Sequence, residues 1–178
     1  MESSLIRDLN ISDSVNSNKY DVIVVGAGHA GIEAAMASAK MGAHTALFTI
    51  KLEAVGRMSC NPTVGGPAKG HLAREIDALG GQIGYVADLT GIHFRMLNKK
   101  KGPAVWAPRT QNDRHIYSME MRNIVEKQDH LDLIESSIAE LILENIKDDQ
   151  ARYKVIGVRS ILGKEYFAQK VILANGTF

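Results

Sequence analysis

The sequence has a single cysteine, Cys60, among 178 residues. One cysteine excludes an internal disulfide framework and is typical of a protein from a reducing compartment. Apolar runs are also short, and none approaches the roughly 20 residues that a membrane-spanning helix needs. We therefore expect a cytoplasmic protein that has no membrane segment.

The sequence also has almost no excess of charge of either sign, because it contains 21 basic and 20 acidic side chains and its formal net charge is +1. Such a balance gives no overall attraction to nucleic acid, so a nucleic-acid site has to come from a local cluster. The histidines show no metal-ligand spacing, and we predict no metal site. The sequence also lacks a Gly-x-Ser-x-Gly elbow and a GxxxxGK[ST] loop, which argues against a hydrolase triad and a P-loop NTPase.

The first 19 residues, MESSLIRDLNISDSVNSNK, are polar and rich in serine and asparagine. They contain neither a long apolar segment nor a cleavage-like site, so we do not interpret them as a secretion signal. We predict a flexible N-terminal arm over 1–19 and a folded domain over 20–178.

The start of this domain predicts an α/β fold. Asp21–Val25 is an apolar, β-branched run typical of a buried parallel strand. An alanine-rich helix is predicted over Ala30–Met41, with Gly42 as its C-terminal cap, and His44–Thr49 is the next strand. Strand, glycine turn, helix and strand in this order form a βαβ unit.

The rest of the domain predicts helices first and short strands later. The helices are predicted at Lys69–Leu79 and from Thr110, as N-cap, to about Lys127, with a strand at Ile92–Leu97 and a loop over 98–108 between them. The short strands suggest a small antiparallel β-meander inserted in the α/β domain. They are predicted at Leu131–Ile134, Ile138–Leu143, Tyr153–Ser160 and Glu165–Ala168, before a last apolar strand at Val171–Ala174.

The glycine turn between the first strand and helix has a GxGxxG pattern. Gly26 permits a tight exit from the strand, Gly28 lets the backbone approach a pyrophosphate, and Gly31 lets the helix pack close to the strand. The helix N-terminus then offers free N–H groups to the phosphates. The pattern favours dinucleotide binding, and the alternative is a purely structural glycine turn.

The acidic residue that usually binds the ribose is missing at the end of the second strand. Thr49 stands there and can bind a ribose hydroxyl, though less strongly than a carboxylate. Glu53 is the nearest acid, and it is either a ribose contact or a solvated loop residue.

A second glycine-rich loop, Met58–Gly70, leads into the next helix. Backbone N–H groups in such a loop can face a second anionic or ring-shaped ligand, and the alternative is an ordinary long connection. Cys60 is either a reactive thiol or a small buried apolar residue.

Basic residues cluster between Arg95 and His115, against a single acid, Asp113. Together with Trp106 they suit an RNA phosphate backbone with a base stacked nearby, and the alternative is a solvated loop with one half-buried tryptophan. The basic members are Arg95, Lys99, Lys100, Lys101, Arg109 and Arg114.

Three blocks of the sequence resemble the N-terminal FAD domain of the GidA/MnmG family, the tRNA uridine 5-carboxymethylaminomethyl modification enzymes. They are VVGAGHAGIEAAMASAKMG, MSCNPTVGGPAKGHLAREIDALGG and NKKKGPAVWAPRTQNDR. The resemblance covers 20–178 and implies the N-terminal part of a longer enzyme. It implies a Rossmann-like FAD-binding domain of the glutathione-reductase type, with a meander inserted before the last parallel strand.

The resemblance also implies roles for individual residues. Cys60 would be a candidate participant in the chemistry, and Lys99, Lys100, Lys101, Arg109 and Arg114 would bind tRNA. The loop with Asn61, Gly65 and Gly66 would lie near the flavin ring, and Ile138 would contact the adenine end through its backbone. The implied pyrophosphate site is Gly26, Ala27, Gly28, His29, Ala30 and Gly31, with Thr49 in place of the acid and with Gly176 and Thr177 in a turn that returns to FAD.

The implied reaction adds an aminomethyl or carboxymethylaminomethyl group to carbon 5 of the wobble uridine in certain tRNAs. NADH would reduce the flavin, a tetrahydrofolate derivative would supply the one-carbon unit, and glycine or ammonium would supply the amine. The family implies a homodimer that works with a tRNA-modification GTPase of the MnmE type in a heterotetramer.

Three other functions compete with this one. A folate-dependent tRNA methyltransferase shares the glycine turn but not the SCNP…KGHL block. An FAD- or NAD-dependent oxidoreductase of small molecules would not need the lysine-rich loop. A nucleotide-binding module without turnover is the third alternative for this chain.

Overall fold

The structure is a computed structural model, and it describes residues 18–146 and 152–176. The predicted flexible arm lies outside the described residues except for its last two, and so does Thr177. The strands are β1 Lys19–Val25, β2 Thr45–Thr49, β3 Thr63–Gly65, β4 Gly91–Leu97, β5 Ala107–Asn112, β6 Leu131–Glu135, β7 Ile138–Asn145, β8 Tyr153–Ser160 and β9 Glu165–Leu173. The helices are α1 His29–Lys40, α2 Lys69–Ala78, α3 Ile83–Thr90 and α4 Arg114–Glu126, with short 3-10 turns at Leu52–Ala54 and Pro103–Val105.

The main sheet has six strands in the order β6-β2-β1-β9-β8-β7. β6, β2, β1 and β9 are parallel neighbours, while β8 pairs antiparallel with both β9 and β7. The β1–α1–β2 unit is the predicted βαβ unit, and the α/β prediction is confirmed. The arrangement is a Rossmann-like α/β domain whose sheet continues into antiparallel strands.

Two of the strand predictions were wrong in their partners or their extent. Leu131–Ile134 was assigned to an antiparallel run, but β6 pairs parallel with β2 at the edge of the sheet. Glu165–Ala168 and Val171–Ala174 were predicted as two strands, but β9 is one continuous strand over Glu165–Leu173. β9 pairs with β8 at its start and with β1 along its length, a partnership that a short apolar run cannot reveal.

Alternating side chains of the parallel strands build a separate core on each face of the sheet. Val24 and Leu47 pack on one face with α1 and α4, where Ile32 and Met121 are fully buried. The opposite face has its own core, formed by Tyr20, Ile23, Ala46, Phe48, Val158 and Tyr166. β8 and β9 therefore contribute Val158 and Tyr166 to the core on the face away from the helices.

A second, three-stranded antiparallel sheet, in the order β3-β5-β4, lies in the segment between β2 and α4. The sequence predicted only β4 of it, and α3 was not predicted either. Thr110 was predicted as the N-cap of α4, but it lies inside β5, and Asp113 caps the helix with its carboxylate. The prediction missed β5 because the segment contains Pro108, and proline has no N–H to donate to a neighbouring strand. Pro108 is tolerated there because β3 ends opposite Arg109, so no residue of β3 pairs with the proline.

Candidate nucleotide-binding cleft

The glycine turn packs against the carboxyl end of β9. Gly26 has a φ of +105°, and an added Cβ would overlap the carbonyl oxygen of Ala174. A Cβ on Gly31 would overlap the carbonyl oxygen of Gly26. Ala174 is held there because its N–H donates to the carbonyl oxygen of Val25 over 2.8 Å. Gly26 and Gly31 are therefore required by packing within the protein.

Gly28 differs from these two glycines. It has an ordinary φ of −74°, and no atom lies within 4 Å of the Cβ that a larger residue would add. Gly28 is the N-cap of α1, no side chain of the described residues caps this helix, and its first turn has no acidic residue. The N-terminus of α1 therefore presents uncapped N–H groups beside open space, which suits a phosphate.

The carboxyl ends of β2 and β6 lie side by side next to this turn. Thr49 is buried, and its hydroxyl donates to the carbonyl oxygen of Lys51 over 2.9 Å. Glu53 is exposed, while Glu135, at the end of β6, accepts a hydrogen bond from the Leu52 N–H over 2.9 Å. Ile138 follows β6 by three residues and begins β7, so it lies near the same end of the sheet as Thr49. The sequence did not identify Glu135, because it belongs to a strand whose partner was predicted wrongly.

A cleft of about 420 Å³ joins the glycine turn to the second glycine-rich loop. His29, the first residue of α1, forms one part of its wall, and Cys60, which is exposed, forms another. The residues that the sequence predicted and that the structure brings together in this cleft are His29, Cys60, Asn61, Gly65, Gly66 and Arg109. Arg57 and Lys69 also line it, and no acidic residue does.

The loop that carries Cys60 is held by hydrogen bonds to β5 and α4. The Asn112 N–H donates to the carbonyl oxygen of Pro62 over 2.7 Å, and Arg114 donates to the carbonyl oxygen of Cys60 over 3.5 Å. The Lys69 ammonium donates to the carbonyl oxygen of Thr63 over 3.0 Å. These contacts fix the position of Cys60 at the rim of the cleft.

The two glycines of this loop have different environments. Gly65 has a φ of +99°, and a Cβ there would overlap the carbonyl oxygen of Pro108. Gly66 has a φ of +101° and donates its N–H to the same oxygen over 2.8 Å, but open space surrounds the position of its missing Cβ. Gly65 thus serves packing, and Gly66, which is buried, forms part of the cleft wall.

A buried polar network behind the loop was not found from the sequence. The Asn112 side-chain amide donates to the carbonyl oxygen of Ala87 over 2.7 Å and to the Thr90 hydroxyl over 3.0 Å. Its amide oxygen accepts from the Thr110 hydroxyl over 3.0 Å. Because the Asn112 N–H also holds Pro62, the network ties α3 and β5 to the cleft loop. No local motif marks such a residue, since its partners are distant in sequence.

His29 is the titratable group at the start of α1. Its ring centroid lies 5.7 Å from that of Tyr117, a fully buried residue of α4. Burial, and to a smaller extent the positive charge of Lys69, lower the pKa of the His29 imidazole below its usual value. His29 is therefore a neutral group at the mouth of a cationic cleft near neutral pH.

The basic residues predicted as one RNA-binding cluster occupy different places. Lys99, Lys100 and Lys101 follow β4 and line a separate groove with Arg95. Trp106 lies near them, because its indole N–H donates to the carbonyl oxygen of Lys99 over 3.3 Å. Arg109 lines the cleft instead, and Arg114 contacts the Cys60 carbonyl. Arg95 and the three lysines therefore stay together near the tryptophan, whereas Arg109 and Arg114 lie elsewhere.

Gly176 lies two residues after Ala174, the residue just after the end of β9 that packs against the glycine turn. Gly176 has a φ of +77°, and no atom lies within 4 Å of its missing Cβ. Thr177, the other residue predicted in this turn, lies outside the described residues. Within 18–146 and 152–176 no group of histidine, cysteine or acidic side chains could hold a metal ion. The same residues contain no helix that is long and apolar enough to cross a membrane.

A family profile described as "Glucose inhibited division protein A" matches residues 21–178. This match covers the glycine turn, the Cys60 loop and all of the main sheet except the first two residues of β1. The chain belongs to the glucose inhibited division protein A family.

Relatives and solved structures of this family agree with that assignment. The chain is 51% identical over 160 residues to the tRNA uridine 5-carboxymethylaminomethyl modification enzyme MnmG of Protochlamydia amoebophila, covering 90% of this chain and 24% of that protein. It is 55% identical over 159 residues to MnmG of Syntrophotalea carbinolica, covering 89% of this chain and 25% of that protein. The chain thus spans about a quarter of the length of the curated relatives it matches.

The structure is also similar to Aquifex aeolicus GidA, with a TM-score of 0.82 and 47% identity over 90% of this chain and 26% of that chain. A GidA-related protein from Thermus thermophilus has a TM-score of 0.60 at 24% identity, covering 89% of this chain and 54% of that chain, and shares the fold. The resemblance of the sequence to the GidA/MnmG family is therefore confirmed.

Proposed function

We propose that this chain is the FAD-binding part of a flavin-dependent enzyme that modifies carbon 5 of the wobble uridine in tRNA. The proposal rests on one observation above all: Gly28 and the uncapped N-terminus of α1 leave open backbone where a pyrophosphate can bind. Membership in the family supports the rest, because MnmG relatives carry the tRNA-modification name. The proposed domain is 20–178, the incomplete N-terminal part of an FAD domain.

The residues of the turn and the cleft fit a flavin dinucleotide. The pyrophosphate would bind the backbone of Gly26–Gly31 at the N-terminus of α1. Thr49 and Ile138 lie at the sheet edge that suits the adenosine half, and Asn61, Gly65 and Gly66 line the cleft that suits the flavin half. We also assign Gly176 and Thr177 to the turn that returns to the cofactor. The fold fits the glutathione-reductase type, with β7, β8 and the start of β9 as the antiparallel β-meander.

When bound, the flavin would supply hydride transfer between NADH and a one-carbon unit from a tetrahydrofolate derivative. The residues of this chain hold and orient the ligands. The Cys60 loop is fixed by Asn112 and Arg114, which places the exposed thiol at the cleft. We propose Cys60 as a participant in the chemistry on this ground.

The proposed macromolecular partners are tRNA, a second copy of the protein and an MnmE-type GTPase, together in the cytoplasm. The lysine loop Lys99–Lys101 is the tRNA contact that the structure supports best, because three cations and Trp106 adjoin one exposed groove. Arg114 is a weaker candidate for RNA, since it contacts the Cys60 carbonyl.

A pair of titrations tests the cofactor assignment. The purified chain is titrated with FAD and, separately, with NADH, and binding is followed by calorimetry. Tight FAD binding with weak NADH binding supports the proposal. Tight NADH binding without FAD binding would replace it with a nicotinamide-dependent oxidoreductase of small molecules. Tight FAD binding to this chain with no tRNA modification by the longer family protein would favour a nucleotide-binding module.

A further inference from the structure

The cationic wall of the cleft has a role that the pyrophosphate does not explain. We propose that Arg57, Lys69 and Arg109 form a receptor for a small oxyanion, a carboxylate or phosphate group of a second ligand that binds beside the dinucleotide. The inference rests on the proposed function for the identity of the first ligand. It adds a second binding subsite to the same cleft.

The three cations come from different parts of the chain. Arg57 precedes the Cys60 loop, Lys69 is the first residue of α2, and Arg109 lies in β5, the central strand of the small sheet. All three line one cleft of about 420 Å³, and none of its lining residues is acidic. The ion pairs found between described residues include none of the three. Three like charges in one cleft repel one another unless an anion joins them.

The fold fixes the Lys69 ammonium and the backbone of Arg109. Lys69 is tied to the Cys60 loop by its bond to the Thr63 carbonyl oxygen, at 3.0 Å. Arg109 is paired with Gly65 of β3 on one side and with Arg95 of β4 on the other. Both α1 and α2 begin at residues that line the cleft, and their N-termini add positive potential. The fold therefore brings these positive charges to one cleft.

The pyrophosphate alone does not require this much charge. A GxGxxG turn binds pyrophosphate through backbone N–H groups and the helix N-terminus, without any cationic side chain. Arginine also offers a planar fork that matches carboxylate and phosphate oxygens in pairs. Cys60 is exposed and lines the same cleft, so an anion held by Arg109 and Lys69 would share the cleft with this thiol. This geometry points to a co-substrate with an anionic end.

Phosphate binding to the chain without FAD tests the receptor directly. Inorganic phosphate and, separately, acetate are titrated by calorimetry at constant ionic strength. Gly28→Val fills the open space at the turn, so that binding which persists in this variant comes from the cleft. Arg109→Gln and Lys69→Gln are the test variants in that background. Lys127→Gln removes an exposed charge at the C-cap of α4, Arg122→Gln removes a charge of α4 that pairs with Glu126, and both are the controls.

We expect saturable phosphate binding that persists in Gly28→Val and weakens about tenfold or more in each test variant, the loss of roughly one charged contact. Both controls should bind as the parent does. Tighter binding of acetate would identify a carboxylate ligand, and tighter binding of phosphate a phosphorylated one. Absence of saturable binding in Gly28→Val, or equal loss in test and control variants, would overturn the receptor.

FAD titrations of the same variants separate this inference from the proposed function. Unchanged FAD affinity in Arg109→Gln and Lys69→Gln supports a separate subsite. An equal loss of FAD and phosphate affinity would show that the cations serve the dinucleotide, which overturns the second ligand and retains the first. If FAD fails to bind the unaltered chain, the cofactor assignment fails while the phosphate result still decides the receptor.

Discussion

A Cβ on Gly31 would overlap the carbonyl oxygen of Gly26, whereas a Cβ on Gly28 would meet no atom within 4 Å. The three glycines of one turn therefore divide between two tasks. Gly26 and Gly31 allow strand, helix and the end of β9 to approach one another, and Gly28 leaves room for something that the protein itself does not supply. This division separates folding from binding and can be tested residue by residue.

Gly31→Ala should lower stability, whereas Gly28→Ala should weaken FAD binding. Gly31→Ala forces an overlap with backbone and should lower the free energy of unfolding by about 2 kcal/mol or more. Gly28→Ala should unfold like the unaltered chain but bind FAD about tenfold or more weakly, because its methyl group occupies ligand space. Urea denaturation and FAD titration measure the two effects. A Gly28→Ala protein with full FAD affinity would contradict the assignment of the turn.

The stability of the domain should depend on pH through His29. Burial lowers its pKa below the ordinary value of 6.5, so the unfolded chain binds the proton more readily than the folded one. The contribution is therefore fully present above about pH 6.5 and is lost as the pH falls from there towards the lower folded pKa. Thermal unfolding between pH 8 and pH 5 should show a smaller loss in His29→Gln than in the unaltered chain. The exposed His93→Gln is the control and should keep the original pH dependence.

Asn112→Ala should be strongly destabilising. It removes the side-chain donor to the Ala87 carbonyl and one of the two partners of each of the Thr90 and Thr110 hydroxyls, at a cost of about 2–3 kcal/mol. Gln111→Ala changes the exposed neighbour on the same strand and should stay within about 0.5 kcal/mol. Urea denaturation of both variants decides the point, and equal stabilities would show that the network contributes little.

Tyr117→Phe should leave stability unchanged or raise it by about 1 kcal/mol. The Tyr117 hydroxyl is buried and has no hydrogen-bond partner among the described residues, so its removal relieves a desolvation cost. Tyr20→Phe is the matched comparison, because the Tyr20 hydroxyl donates to Asp132 over 2.9 Å. That variant should lose about 1 kcal/mol in the same denaturation experiment. A destabilised Tyr117→Phe would reveal a partner for the hydroxyl, such as a buried water.

Replacing Lys99, Lys100 and Lys101 together by alanine should weaken tRNA binding and reduce its salt dependence. Each lost phosphate contact lowers the slope of log affinity against log salt by roughly 0.7–0.9. Lys127→Ala, which removes an exposed lysine at the end of α4, should change neither quantity. Titrations at several salt concentrations provide the measurement, and unchanged affinity in the triple variant would remove the lysine loop from the RNA site.

The βαβ unit and its glycine turn were predictable because strand, turn and helix are encoded within one short segment. The residues of β1, α1 and β2 carry the periodicity and glycine spacing that local physics requires. The partners of β6 and β9 were not predictable in this way, since pairing with β2 or β1 depends on segments far apart in sequence. The cleft posed the same problem, because Arg57, Lys69 and Arg109 meet only after the small sheet has formed.

The pairing of β1 with β9 also has a consequence for how the protein is made. Val25 pairs with Leu173, and Ala174 packs against the Gly26 turn. The first βαβ unit is therefore synthesised long before β9, the second neighbour of β1 in the sheet. At ordinary rates of translation this delay is on the order of ten seconds. Throughout that time β1 has an unpaired apolar edge, which is the kind of surface that chaperones protect and that otherwise aggregates. The nascent chain is therefore vulnerable at the strand that leads into the glycine turn.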